Sequence, residues 1–190
     1  MGKIISFMHV SLDGFVAGPN GEMNWIKVNQ EIFDYVGNRI AKTNTALYGR
    51  ITFEMMENYW PTAAEKENAS KHDIEHAHWY KDVNKVVLST TLKQENFSLT
   101  TIIGNIIEHE INKTKQLSDK EILLFGSPKA THSLFELGLI DGFWMFVNPI
   151  VLGNGIPLFN KIKDKMILNL ISTKLFDNGV VELNYLVDKK

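Results

Sequence analysis

The sequence predicts an α/β fold in which a mainly parallel sheet ends in an antiparallel hairpin. Along most of the chain, apolar runs of strand length alternate with segments whose apolar residues recur at helical spacing. This alternation is typical of parallel strands that are joined by crossover helices. The last two strand-like runs, residues 168–176 and 180–187, instead flank Asp177-Asn178-Gly179, which is a strong hairpin signal. We therefore expect helices on both faces of the sheet and antiparallel strands at one edge.

The individual elements follow from the same periodicities. The first predicted strand, residues 3–10, is apolar nearly throughout, as expected of a strand that is covered on both faces. A loop at residues 11–25 contains three glycines and a proline, and we expect it to be irregular and functional. Further strands are expected at residues 45–48, 85–89, 99–103, 120–125 and 143–151, and helices at residues 31–42, 49–59, 105–116 and 128–137. We find no repeat and no domain boundary, so residues 1–190 are expected to form one domain.

Composition excludes several classes of protein. The hydrophobic content of 44% and the charged content of 22% are ordinary globular values. A net charge of −2 gives no reason to expect a nucleic-acid or membrane-surface partner. The absence of cysteine excludes disulfides, thiolate catalysis and cysteine-ligated zinc. No apolar run approaches the roughly 20 residues that a membrane span needs. We expect a cytoplasmic protein that acts on a small molecule.

The strand, turn and helix at residues 120–138 organise the predicted fold. The apolar run ends at Phe125, and Gly126-Ser127-Pro128 forms a turn of small residues before a helix. Ser127 is predicted to be the N-cap, and Pro128 suits the first helical turn. Backbone N–H groups at a helix N-terminus, together with the helix dipole, favour an anion. An ordinary β–α connection has the same pattern, so this segment alone leaves both interpretations open.

Two other strand ends carry residues that suit phosphate groups. Gly49-Arg50-Ile51-Thr52 follows the second predicted strand and combines a glycine, a cation and a hydroxyl group. Ser89-Thr90-Thr91 follows the next strand and offers further hydroxyl groups. Because ligands of open α/β sheets bind beyond the carboxyl ends of the strands, three such ends together favour a nucleotide site. The G-x-G-x-x-G fingerprint and the P-loop are both absent from the sequence, so a nucleotide would have to be held in another way.

Six short motifs occur in order over nearly the whole chain. They are Ser11-Leu12-Asp13-Gly14, Asn20-Gly21-Glu22-Met23-Asn24-Trp25, Tyr48-Gly49-Arg50-Ile51-Thr52-Phe53, Leu88-Ser89-Thr90, Gly126-Ser127-Pro128, and the Pro-x-x-Leu-Gly-x-Gly pattern at residues 149–155. Together they resemble the dihydrofolate reductase-like superfamily, and particularly its branch related to the reductase domain of riboflavin biosynthesis. The resemblance implies a three-layer sandwich with a mainly parallel central sheet and a C-terminal antiparallel hairpin.

The same resemblance implies that the cofactor is NADPH. Arg50, with Ser89 and Thr90 after Leu88, would contact the 2′-phosphate, which suits the forked guanidinium group. Thr52, beside Gly49, and the amides of Gly126 and Ser127 would bind the pyrophosphate. The residues that would line the nicotinamide end are Val10, Ala17 and Trp25.

Two positions depart from the family pattern. Ser127 replaces the usual second glycine of the cofactor turn, and we expect it to relax the backbone geometry there. Phe125 stands where riboflavin-pathway reductases commonly have a carboxylate, which argues against their ribosylated pyrimidine as the substrate.

The resemblance implies a reductase that transfers a hydride to a pterin-like, ribosylaminopyrimidine-like or carbonyl substrate. Three carboxylates are candidates for the proton donor: Asp13 in the long loop, and Glu31 and Asp34 on the following helix. On a helical wheel Glu31 and Asp34 lie opposite the apolar face, and bound water could supply the proton instead. The alternative is a non-catalytic nucleotide-binding module that retains the fold. A homodimer that uses the late apolar strands is also expected from the resemblance.

The histidines give weaker signals. His9 lies within the first apolar run, and we interpret it as a core or cleft-edge residue. His72 and His76 are an i, i+4 pair, with His78 close by, but no glutamate stands beside the first histidine as in metalloproteases. We expect these three side chains to lie on a solvated helix face and no metal to be bound.

Overall fold

The structure is a computed structural model that describes residues 1–93, 97–160, 162 and 164–189. The strands in this part of the chain are β1 (Ile4–Ser11), β2 (Phe15–Ala17), β3 (Thr45–Gly49), β4 (Asn84–Leu88), β5 (Thr100–Ile103), β6 (Ile122–Phe125), β7 (Gly142–Asn148), β8 (Ile156–Pro157), β9 (Leu168–Leu175) and β10 (Val181–Val187). The helices are α1 (Gln30–Ile40), α2 (Arg50–Glu57), α3 (Trp60–Ala63), α4 (Lys71–Asp82), α5 (Ile107–Leu117) and α6 (Pro128–Glu136).

The predicted sheet is confirmed. Eight strands pair in the order β5-β4-β3-β6-β1-β7-β10-β9. The strands from β5 to β7 run parallel to one another, whereas β10 is antiparallel to both β7 and β9. Gly179 adopts a φ of +85° in the turn between β9 and β10, as the hairpin signal predicted. The predicted strand at residues 143–151 ends at Asn148, because Pro149 has no N–H group for the ladder.

Helices cover both faces of the sheet. On one face α1, α2 and α4 bury Ile32, Val36, Phe53 and Tyr80 in a core that is rich in aromatic residues. On the other face α5 and α6 bury Ile111 and Leu134 in a more aliphatic core. None of the helices in the described part of the chain has the length and apolar character needed to cross a bilayer.

The direction of the chain changes at the carboxyl end of β6. The chain leaves β1 and β3 toward helices on the aromatic face, but it leaves β6 toward α6 on the aliphatic face. Since β6 lies between β3 and β1, the chains diverge on both sides of its end. Such switch points open the crevices in which α/β proteins bind ligands. The fold therefore places a crevice at Gly126.

The long loop after β1 is more regular than predicted. Its residues Phe15–Ala17 form β2, which pairs with β8 in a separate two-stranded sheet. The amide of Leu158 also donates to the carbonyl of Gly14 at 2.9 Å. Gly155 is required here because a Cβ atom would collide with the carbonyl oxygen of Ala17. Two-residue strands have no detectable periodicity, which is why the sequence did not reveal β8.

The solvated face expected for the histidines of α4 is wrong for two of them. His72 stacks on Phe33 with ring centroids 4.0 Å apart, and His76 packs against Trp60 at 3.9 Å. Burial lowers the pKa of His76 to about 3, so its ring is neutral. Only His78 is exposed as expected. Within the described ranges, no group of three or more acidic or histidine side chains is placed to hold a metal ion.

The turn after β6 corrects the expectation for Ser127. Ser127 occupies the N-cap position of α6, and Pro128 lies in the first turn, but the Ser127 hydroxyl makes no capping hydrogen bond. Its φ of +56° follows a φ of +52° at Gly126, so two successive residues are left-handed. Serine therefore does not relax the backbone geometry of this turn, and it adopts a conformation that suits glycine better.

We predict that Ser127→Gly stabilises the protein, because the left-handed backbone costs a residue with a Cβ atom about 1 kcal/mol and no cap is lost. The free energy of unfolding in urea should rise by about 0.5–1 kcal/mol. Ser133→Gly, a matched change in the right-handed interior of α6, should lower it by about the same amount. If Ser127→Gly lowered the free energy of unfolding as much as Ser133→Gly does, the proposed strain at Ser127 would be contradicted.

Candidate functional site

The three predicted strand-end turns meet in one cavity. It has a volume of about 530 Å³ and lies at the carboxyl ends of β3, β4 and β6. The predicted cofactor residues that line it are Gly49, Arg50, Thr52, Leu88, Ser89, Thr90 and Ser127. Their positions in sequence are far apart, and only the parallel pairing of β3 with β4 and β6 brings them together.

Close packing of Gly49 against the Ser127 side chain forms the floor of this cavity. A Cβ atom on Gly49 would collide with the Ser127 hydroxyl, so only glycine lets the end of β3 approach the turn after β6. At Gly126 a Cβ atom would have room, 3.6 Å from the Thr52 methyl group, but its φ of +52° disfavours side chains. Gly126 is thus needed for its backbone angle and Gly49 for its size.

The structure changes the predicted role of the Gly126 amide. Its N–H donates to the carbonyl of Phe7 at 3.0 Å, so it extends the pairing of β6 with β1 and does not point into the cavity. Beyond it, Pro128 has no N–H, and the amide of Thr131 already donates to the carbonyl of Ser127 at 3.0 Å. The donors at this helix N-terminus are therefore the amides of Ser127 and the first turn of α6.

Arg50 and Ser89 each have a hydrogen-bonding partner. The Nη1 atom of Arg50 donates to both carboxylate oxygens of Glu54, at 2.8 and 3.0 Å, and 41% of each side chain is exposed. Such an exposed i, i+4 ion pair contributes little, so a phosphate group could compete for the guanidinium. The hydroxyl oxygen of Ser89 accepts the amides of Thr91 and Leu92, which leaves its own O–H free to donate.

The residues predicted for the nicotinamide end do not line this cavity. Val10 and Ala17 are buried, with 4% and 7% of their surfaces exposed. Trp25 is half-buried and donates its indole N–H to the carbonyl of Glu22 at 3.0 Å. Val10 lies on β1, which is on the other side of β6 from β3 and β4, whereas Ala17 on β2 pairs with Ile156, a residue that does line the cavity.

Asp13 has a clear structural role. Its carboxylate accepts hydrogen bonds from the Ser11 hydroxyl at 2.6 Å and from the amides of Leu152 and Gly153 at 3.1 and 2.8 Å. The bond from Ser11, followed by the two backbone bonds, lowers the pKa of Asp13. Asp13 therefore stays ionised and links the loop after β1 to the loop after β7.

The two helix carboxylates are both in ion pairs. Glu31 contacts Lys174 on β9 at 2.9 Å. Asp34 contacts Lys71 at 3.0 Å and accepts a bond from Gln30, and these partners lower its pKa. Asp34 lines a different groove, of about 460 Å³, between α1 and α4. The structure thus brings none of the three predicted acids to the cavity at the ends of β3, β4 and β6.

Sequence reasoning left one polar group near the crevice without a function. His9 lies at the carboxyl end of β1, where its ring stacks on Phe146 at 5.1 Å. The fully buried Asn148 on β7 lies beside it, with its Nδ2 atom 3.4 Å from His9 Nδ1. The sequence signal was a histidine within a strand that is apolar nearly throughout.

Comparisons with known proteins agree over the whole length of this fold. The family described as the RibD C-terminal domain matches residues 2–182. YyaP of Bacillus subtilis is 35% identical over 184 residues, which cover 96% of this chain and 94% of YyaP.

Two solved structures illustrate the fold. Dihydrofolate reductase from Enterococcus faecalis, in complex with NADP(H), is similar with a TM-score of 0.64 at 14% identity, over 99% of this chain and 98% of that one. The second is from Thermotoga maritima and is a diaminohydroxyphosphoribosylaminopyrimidine deaminase/5-amino-6-(5-phosphoribosylamino)uracil reductase. It is similar with a TM-score of 0.67 at 13% identity, over 98% of this chain and 57% of that longer one. The chain thus belongs to the RibD C-terminal domain family, and its fold is that of the dihydrofolate reductase-like reductases.

Proposed function

We propose that this protein is an NADPH-dependent reductase of a small heterocyclic or carbonyl substrate. The observation that carries the proposal is the convergence of three phosphate-suited turns on one cavity at the switch point of the sheet. Two relatives of the same fold support it by name, one as a uracil-derivative reductase and one as a complex with NADP(H).

The residues of the cavity suit a phosphorylated dinucleotide. Arg50, Ser89 and Thr90 offer a cation and two hydroxyl groups for a 2′-phosphate at the ends of β3 and β4. Thr52 and the amide of Ser127 offer donors for the pyrophosphate at the N-terminus of α6. The cofactor would extend from there across β6 toward the end of β1. When bound, NADPH would supply the hydride.

A non-catalytic nucleotide-binding module is the second candidate function. The observation that favours it is the involvement of Asp13, Glu31 and Asp34 in hydrogen bonds and ion pairs with the protein itself. NADPH binding is common to both candidates, so turnover has to separate them. Reduction of any substrate in a panel of pterins, ribosylated pyrimidines and quinones, followed by NADPH absorbance, would establish the reductase. Binding without turnover would favour the module.

We expect Arg50→Ala to weaken NADPH binding by about 1.5–3 kcal/mol, the usual value of hydrogen bonds to a charged group, and to leave NADH binding unchanged. Glu54→Gln is the matched change, because it removes the carboxylate that competes for the guanidinium and should slightly tighten NADPH binding. Fluorescence titration with both cofactors measures the two effects. An equal loss for NADPH and NADH in Arg50→Ala would make Arg50 a structural residue.

We expect Gly126→Val to abolish NADPH binding. A β-branched residue is strongly disfavoured at a φ of +52°, so the turn would have to open and displace Ser127 from the cavity. Gly138→Val is the matched control, since Gly138 has a φ of +66° and ends α6 with open space around it. Circular dichroism and thermal melts have to show both variants folded. A folded Gly126→Val protein with wild-type NADPH affinity would remove the basis of the proposed cofactor site.

We also propose that two copies associate through the face formed by β9 and β10. β9 is the last strand of the sheet, and its Leu170, Ile171 and Leu175 are 52%, 56% and 72% exposed. Exposed apolar side chains on an edge strand indicate a binding surface. Leu170→Lys should convert a dimer to a monomer in sedimentation experiments, whereas Leu117→Lys, at the exposed end of α5, should not. A monomeric wild-type protein at micromolar concentration would exclude this interface.

A further inference from the structure

Three asparagines in the sequence are followed directly by glycine. The pairs are Asn20-Gly21, Asn154-Gly155 and Asn178-Gly179. In such a pair the backbone nitrogen of the glycine can attack the carboxamide carbon of the asparagine side chain, because no Cβ atom of the glycine obstructs the approach. The reaction requires that the glycine N–H loses its proton and that the asparagine side chain turns toward it. Hydrogen bonds of either group therefore oppose the reaction.

The pair Asn20-Gly21 is protected at both groups. The Gly21 amide donates to the Gly18 carbonyl at 3.0 Å, which engages the N–H that would have to ionise. The Nδ2 atom of Asn20 donates to Glu22 Oε1 at 2.8 Å, and the backbone N–H of Asn20 donates to Glu22 Oε2 at 2.9 Å. The carboxamide is therefore held by Glu22, and the negative charge of this carboxylate further opposes ionisation of an amide nearby.

The pair Asn178-Gly179 lies in the turn between β9 and β10 and is protected in the same way. The Gly179 amide donates to the Phe176 carbonyl at 3.0 Å. The Oδ1 atom of Asn178 accepts the Val180 amide at 3.2 Å, and its Nδ2 atom is buried. The bond from Val180 orders the Asn178 side chain, and the bond to Phe176 protects the nitrogen that would attack it.

The pair Asn154-Gly155 lacks both kinds of protection. Asn154 is exposed in the loop between β7 and β8, and Gly155 is half-buried. Within the described part of the chain, no residue forms a hydrogen bond with the Asn154 side chain or with the Gly155 amide. This pair therefore combines an available carboxamide with an available backbone nitrogen.

We propose that Asn154 is the principal site of spontaneous deamidation in this protein. The Gly155 nitrogen loses its proton and forms a bond to the side-chain carbon of Asn154, and the carboxamide nitrogen leaves as ammonia. Water then opens the resulting succinimide at either of its carbonyl carbons. The product at position 154 is an aspartate or an isoaspartate, in which the chain continues through the side-chain carbon. The reaction consumes water, releases ammonia, and needs no oxidant, metal or enzyme.

The isoaspartate would disturb a closely packed part of the fold. It adds a methylene group to the backbone immediately before Gly155, where a Cβ atom would already collide with the carbonyl oxygen of Ala17. Ala17 pairs with Ile156, the residue after Gly155. The longer backbone therefore displaces Gly155 and loosens the pairing of β2 with β8. An aspartate keeps the normal backbone, so it should leave this pairing intact.

Peptide mapping by mass spectrometry tests the proposal. The wild-type protein is aged at mildly alkaline pH, and the fraction of each Asn-Gly pair that has become acidic is measured at intervals. A second sample is aged in urea, where unfolding removes the bonds that protect the other two pairs. Asn154→Gln is the control, because the larger ring that glutamine would form closes much more slowly. Asn154→Asp supplies the new charge on a normal backbone.

We expect Asn154 to react first in the folded protein and all three pairs to react at similar rates in urea. Asn154→Gln should stay unmodified at position 154 over the same period. The isoaspartate fraction, separated by chromatography, should melt about 2–4 °C below the fresh protein, a shift typical of a modest loss of stability in a domain of this size. Fresh Asn154→Asp should melt like the wild type, because an exposed charge contributes little.

Several outcomes would overturn the proposal, and none of them depends on NADPH or on a substrate. If Asn20 or Asn178 reacted as fast as Asn154 in the folded protein, the hydrogen bonds would not decide the site. If Asn154 still reacted first in urea, local sequence and not the fold would explain the preference. An isoaspartate fraction that melts together with the fresh protein would contradict the close packing at Gly155.

Discussion

The left-handed turn at Gly126 and Ser127 is the constraint on which the site depends. β6 lies between two strands whose chains leave toward the aromatic face, and its own chain has to leave toward the aliphatic one. The positive φ angles of Gly126 and Ser127 turn the chain from β6 toward the aliphatic face over these two residues. The same turn brings Ser127 against Gly49, so the geometry that sets the topology also forms the floor of the cavity. A loss of either glycine would therefore disturb fold and site together.

A second set of contacts joins the loops around the end of β1. Asp13 binds two amides of the loop after β7, β2 pairs with β8, and Asn148 accepts the amide of Lys27. Each of these bonds involves backbone groups, so they fix the course of the chain more than the position of any one side chain. Together they hold the segment from Ser11 to Lys27 against the end of β7.

The carboxylates illustrate how a chemical group can be present without being available. Asp34 and Glu31 are ion-paired across helix and strand surfaces, and Asp13 serves as a hydrogen-bond acceptor for a loop. The partners of Asp13 and Asp34 lower the pKa of these two carboxyl groups and stabilise the ionised form, which is the wrong state for a proton donor. A reductase with this arrangement would need another proton donor, such as bound water.

The sequence by itself determined the order of the elements, the parallel sheet and the closing hairpin, because apolar periodicity and turn residues are local properties of the chain. It also identified the three turns at the ends of β3, β4 and β6, whose residue types suit phosphate groups regardless of context. Only the tertiary structure decided that these turns share one cavity. It also decided that the Gly126 amide donates to the Phe7 carbonyl, that His76 is buried, and that Asn148 lies beside His9. These features depend on pairs of residues far apart in the chain, such as positions 9 and 148. Their contact is fixed by strand register, which no local pattern encodes.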